Sequence, residues 1–409
     1  MKKIITISFF NIILISLISC GAPPAAETPS LPTDPEASAE VSSSEESPGE
    51  VTAEAGETTP TPQAGDELAL PAAPESAMLE VPVVYSGSSG LPGLCYLGAA
   101  GMLVKYEHPE LDFTDIIALS GTGSSALHDD FPDMQPILIS PYMDQCIVFM
   151  ADNLGADYAL GHLAGGTASD IFQPADLPFE ENAASRYLFR DEDEALDALK
   201  RVIGSGQPAA VYINMFHVYE DFTRDSRYWK DFLEKEVASH YLVVKGFDEE
   251  NIYFNDPTDP TESAGALSAG TENFMQAWED TANIPDAPSL GSFWMLFLET
   301  PGAVPDAETV IRKNLERAVD APAEIRSFAE DPGDSQFTRF LLLELGNART
   351  RYGEYLERNG YEQAGRRYGR SGELFSVMGL ENDLEPQLLI NGSDFEAEAI
   401  RILQDEMNK

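Results

Sequence analysis

The sequence predicts an α+β domain followed by an all-helical one, and three observations carry that prediction. Helical patterns come first and strand-like runs later, with no βαβ alternation. Two apolar runs, 240–247 and 251–256, are separated only by Asp248-Glu249-Glu250, the spacing of an antiparallel hairpin. Beyond Pro301 and Pro305 the chain becomes rich in Leu, Ala, Glu and Arg at helical spacing.

Two lysines precede an apolar run over residues 4–18, which ends in Leu17-Ile18-Ser19-Cys20-Gly21. A basic start and a short apolar stretch describe a secretory signal, 1–19, too short for a spanning helix. The ending resembles the bacterial lipobox, which implies cleavage before Cys20 and a lipid on its thiol. Residues 20–78 are Pro, Ala, Glu, Ser and Thr with few large apolar residues, and no Lys or Arg occurs between Lys3 and Lys105. Such a segment cannot bury enough apolar surface to offset chain entropy, so a disordered acidic tether is expected. These readings place the protein outside the cytoplasm, lipid-anchored at a membrane surface.

The folded part is expected over 79–304. It opens with a strand-like LEVPVVYSG from Leu79, then a Gly/Ser/Pro loop and a helix from Cys95 to Tyr106. Helices are expected over 141–153 and 191–203, and a solvated one over 225–236. Strands are expected at 209–214, 240–247, 251–256 and 292–299. Helices fill 305–409, with breaks near Asn359-Gly360 and Gly379.

Composition narrows the function. The net charge of -45 over 409 residues repels phosphate backbones, so nucleic acid is excluded as a partner. Three cysteines are too few for a disulfide framework. The five histidines are scattered and no CxxC or HExxH spacing occurs, so neither metal nor cofactor is expected.

Cys95 stands at a predicted helix start, where free backbone N–H groups and the helix dipole favour thiolate and could bind an oxyanion. Alone it reads equally well as a buried inert thiol. His240 opens one strand of the hairpin and Asp256 ends the other, so the fold brings them side by side. A carboxylate there can orient the imidazole and stabilise its cation. Asn255 is the neighbouring alternative, although strand alternation sends it to the opposite face. A small-residue helix behind Cys95, then HYLVVKGFDEENIYFNDP, resembles the papain-like fold of bacteriocin-processing (double-glycine) peptidases. The chain is also similar to the butirosin biosynthesis protein H family, through IIALSGTGSS at 116–125, GQPAAVYIN and the Arg- and aromatic-rich helices. The resemblance implies a nucleophilic Cys95, a general base in His240 and an orienting Asp256.

That family pattern carries a Gln shortly before the nucleophile, to hold the oxyanion; here Ser88-Ser89-Gly90 stands instead. The Ser89 hydroxyl and the Cys95 amide are the candidates for that task. Gly93, Gly121, Thr122, His217 and Asn255 are candidates for lining a substrate groove. Gly121-Thr122 reads as a tight turn, and His217 also reads as an exposed loop residue. Cys146 reads as core, and a Cys95–Cys146 disulfide stays open. Arg349, Arg351, Arg366 and Arg367 are expected to bring positive charge beside the cleft. Two functions follow: a tethered cysteine peptidase, amidase or acyltransferase acting on a peptide or small amide or acyl substrate, or an inactive papain-like lipoprotein that binds a peptide or small ligand.

Overall fold

The computed structural model describes residues 70–84, 95–129, 137–139, 143–163, 183–218, 239–257, 267–283, 292–330, 332, 336–380 and 384–408. The signal, most of the acidic segment, the loop before Cys95 and the helix expected at 225–236 lie outside them.

Helices α1 (Cys95–Glu107) and α2 (Phe113–Leu119) come first, then a small hairpin of β2 (Leu127–Asp129) and β3 (Ile137–Ile139), then α3 (Met143–Leu154). An edge strand, β1 (Ala77–Met78), precedes them. The main sheet takes its other strands from β4 (Asp157–Leu163), β5 (Ser185–Phe189), β6 (Ala209–Asn214), β7 (Ser239–Phe247), β8 (Asn251–Asn255), β9 (Leu267–Gly270) and β10 (Met295–Thr300). Helix α4 (Glu192–Gly204) and helix α5 (Thr271–Glu279) interrupt that run. The strand order is β5-β4-β10-β6-β7-β8-β9, with β1 added against β7. Every pairing is antiparallel except β4 with β5, which the expectation of an antiparallel sheet did not anticipate.

Strand alternation divides the core between the two faces of this sheet. Ala210, Tyr212, Val243, Trp294 and Leu296 point to one face, where α1, α2 and α3 pack. Val211, Ile213, Leu242, Val244, Met295 and Phe297 point to the other, with α4 and α5. Asp191 caps α4 by accepting from the Glu194 amide, which sets its start.

The strand expected from Leu79 is corrected by the structure. Pairing stops after Met78, with one further bond from the Leu79 amide to the Lys245 carbonyl (2.8 Å). Pro82 has no amide hydrogen to continue the ladder. Residues 70–84 instead form a strap, pinned at several points. Arg201 donates to the carbonyls of Leu70 and Pro71, Pro74 packs on Gly204, and Asn255 Nδ2 donates to the Val81 carbonyl (2.9 Å).

The C-terminal region is all-helical: α6 (Ala307–Ala318), α7 (Ala321–Glu330), α8 (Gln336–Arg358), α9 (Glu362–Leu380) and α10 (Pro386–Met407). Expected as a module of its own, it shares a core with the first sheet face. Tyr352 and Leu356 of α8, Tyr368 of α9 and Leu403 of α10 pack in one cluster with Leu97 and Ala100 of α1. A second cluster belongs mainly to the helices, around Phe328, Leu345 and Phe375.

Candidate active site

Cys95 is the first residue of α1, so its backbone amide has no partner within the helix. Apolar residues surround this helix on nearly every side, as suits an element sunk between a sheet and other helices. Gly98 explains how the helix start comes so close to the end of β8. A Cβ there would lie 2.5 Å from Pro257 Cβ and 3.2 Å from the Val84 carbonyl oxygen. Pro257 follows Asp256 directly, so the bare glycine surface seats Cys95 beside the carboxylate.

His240 lies on β7 opposite Ile213 of β6. Its Nε2 donates to Asp256 Oδ1 at 2.8 Å, with both side chains buried. That bond leaves Nδ1 as the ring nitrogen for Cys95, whose side chain also hydrogen-bonds the imidazole. Burial by itself would lower the His240 pKa. The Asp256 and Cys95 charges and the hydrogen bonds from both override it and push the pKa up to about 10. The imidazole is thus held as its cation across the physiological range. Cys95 and Cys146 are not bonded to each other, so the disulfide left open by the sequence does not form.

The remaining candidates distribute unevenly. Ser89 and Gly93 lie outside the described residues. Gly121 and Thr122, expected along a groove, are enclosed beneath α8. Gly121 has φ +71°, the Thr122 carbonyl accepts from Arg349 Nη1 (3.1 Å), and Thr122 Oγ1 lies between Ser120 Oγ and Cys146 Sγ. Asn255 is tied structurally, accepting from Lys245 Nζ (2.6 Å) while it holds the strap. His217 follows β6 in a short turn and donates to Asp280 Oδ2 at 2.7 Å, where Asn214 Nδ2 also donates. Asn214 pairs with Ser239, so the residue that shares Asp280 with His217 lies opposite the neighbour of His240.

The arginines expected to present charge to a cleft are paired with acids. Arg349 is fully buried against Glu396, Arg351 pairs with Glu354, Arg366 with Glu362 and Arg367 with Glu398. Helical spacing explains two of these pairings, Arg351–Glu354 and Arg366–Glu362, and the other two reach an acid on the facing helix α10.

One buried acid was missed. Glu344 of α8 is 4% exposed, and its Oε1 has no hydrogen-bond partner among the described residues. Burial first, and the nearby Cys95 second, hold its carboxyl well above the usual carboxylate range. The sequence did carry a signal, a single Glu inside the apolar run Phe340–Leu345.

Residues 155–285 match the Peptidase_C39 like family. The matched segment is less than half of the chain; it contains His240 and Asp256 and leaves Cys95 outside. No curated protein matches the chain. Among solved structures, a candidate C39-like peptidase from Bacillus anthracis aligns over 56% of this chain and 100% of its own, at 14% identity and a TM-score of 0.32. The α+β architecture and the family match over its sheet give the chain the fold of the papain-like cysteine peptidase superfamily.

Proposed function

We propose that the protein is a cysteine peptidase or amidase, held outside the cytoplasm by a lipid on Cys20. The observation that carries this reading is His240, bonded at once to Asp256 and Cys95 and charged by them. Cys95 attacks the carbonyl carbon of a peptide or small amide as its thiolate. His240 then gives its proton to the departing amine, leaving a thioester on sulfur. Water resolves the thioester, with His240 taking and returning the proton; an amine in place of water makes the same step an acyl transfer. Asp256 keeps the imidazole oriented and its cation stabilised.

A second reading is a binding protein that retains the cleft without turnover. One observation favours it: Cys95 is 2% exposed and His240 0%, so a substrate must open the site to reach sulfur.

Iodoacetamide alkylation of Cys95 against pH separates the two. The expected result is rapid alkylation persisting well below a free thiol's pKa of about 8.5, abolished in His240→Ala. Alkylation that follows an ordinary thiol, or ignores His240, would leave binding as the function.

A further inference from the structure

Glu344 is a buried acid whose Oε1 has no hydrogen-bond partner among the described residues. The other two buried acids among the described residues are satisfied: Asp256 by His240, and Glu396 by Arg349 and Ser371. An orphaned buried polar group is destabilising, so a structure that keeps one invites a functional explanation. Glu344 also lies close enough to Cys95 for its carboxyl to feel the charge there. It shares a helical face with Ala348, Tyr352 and Tyr355, all three of which pack in the cluster that holds Leu97 and Ala100 of the nucleophile's helix.

We propose that Glu344 is a catalytic hydrogen-bond donor of the site, its acid O–H holding the substrate's carbonyl oxygen as Cys95 adds. This inference rests on the cysteine-enzyme reading above. During addition the C–S bond forms and the carbonyl π pair moves onto oxygen; Glu344 donates to that oxygen and keeps its proton. When the intermediate collapses, the carbonyl reforms, the bond to the leaving group breaks, and the leaving group takes its proton from His240. An ionised carboxylate at this place would repel both the thiolate and the oxyanion. A neutral acid has one O–H to offer, and an apolar site is what keeps a carboxyl neutral enough to donate. The residues before Cys95 include no Gln that would supply such a donor, since Ser88-Ser89-Gly90 occupies that stretch.

The test compares two reactions of Cys95 in the full chain, both read by mass spectrometry of the Cys95 peptide. Acylation by p-nitrophenyl acetate passes through an oxyanion, whereas alkylation by iodoacetamide does not. Glu344→Leu should slow acylation about 100–1000-fold, the loss typical of one oxyanion donor, and leave alkylation unchanged. Glu344→Gln, which keeps a neutral donor, should recover much of the acylation. The Leu variant should melt no lower than the parent, because an apolar group replaces an unsatisfied one. The proposal is overturned if acylation ignores Glu344, if the two reactions fall together, or if Gln fares no better than Leu. Glu344→Met replaces Leu should that variant not fold, and failure of both to fold also overturns it. A parent chain that is alkylated as an ordinary thiol and never acylated would overturn the enzyme reading as well. Acylation that proceeds without regard to Glu344 overturns this inference alone.

Discussion

At the scale of single residues, the site is governed by what surrounds one imidazole. Burial disfavours the His240 cation, and the Asp256 carboxylate is the largest influence opposing it. Asp256→Asn keeps the shape and an acceptor but removes the charge, so the His240 titration should fall from about 10 towards its ordinary value. The sign follows from the favoured form. Losing a partner of the cation lowers the pH at which the proton leaves, so the imidazolium that supports the thiolate becomes scarcer at neutral pH. Histidine NMR should show the lowered titration, and Cys95 alkylation at pH 6 should slow in the same variant; an unmoved titration would remove Asp256 from its assigned role. The meeting of His240 and Asp256 was legible because a hairpin with a short polar turn forces the start of one strand beside the end of the other, whereas Cys95 joined them only through its helix start and the family resemblance. Glu344 was not legible as part of the same place. It arrives from a helix more than two hundred positions downstream, and nothing local to Leu343-Glu344-Leu345 says which surface that helix covers.

At the scale of elements, the decisive contact is α1 against the end of β8, made through Gly98. Even an alanine Cβ would meet Pro257 at 2.5 Å, and backbone at 3.2 Å, with no flexible side-chain end to yield. Gly98→Val should therefore push the helix start away from Asp256. The expected costs are about 1–3 kcal/mol of stability, measured by urea denaturation, and loss of the His240-dependent alkylation. Helices α1, α3 and α4 and strands β6, β7 and β8 could be read from periodicity and caps within a residue or two. Strands β4, β5 and β9 could not. Leu267–Gly270 carries only one large apolar residue, and Asp157–Leu163 includes a glycine, so their strand character comes from partners distant in sequence. The opposite error occurred at residues 79–84, where β propensity was high but the ladder stops at Leu79 and Pro82 has no amide hydrogen to resume it.

At the scale of the whole molecule, the helical region meets the rest of the fold through a shared apolar core and through Arg349, whose buried ion pair lies among the helices while its Nη1 reaches back to the Thr122 carbonyl. Arg349 of α8 meets Glu396 of α10 through two nitrogens and reaches the Thr122 carbonyl, while Ser371 of α9 donates to the same Glu396. Arg349→Met would strand a buried carboxylate and is expected to destabilise by about 3–5 kcal/mol. Adding Glu396→Leu to that variant should recover much of the loss in urea denaturation; no recovery would mean that the contact to Thr122 is what matters. Sequence composition announced the helices but not this junction, because a buried Arg and a surface Arg look alike in a chain whose acids greatly outnumber its bases.

The strap over 70–84 has a mechanical consequence. Tension applied at the N-terminus is met first where Arg201 grips the Leu70 and Pro71 carbonyls and Pro74 wedges on Gly204. The short β1 ladder comes next, then Asn255, the neighbour of Asp256, on the Val81 carbonyl, and Val84 against Gly98 and Gly101 of α1. A pull from that end therefore meets a series of separate contacts before it meets the imidazole and the thiol.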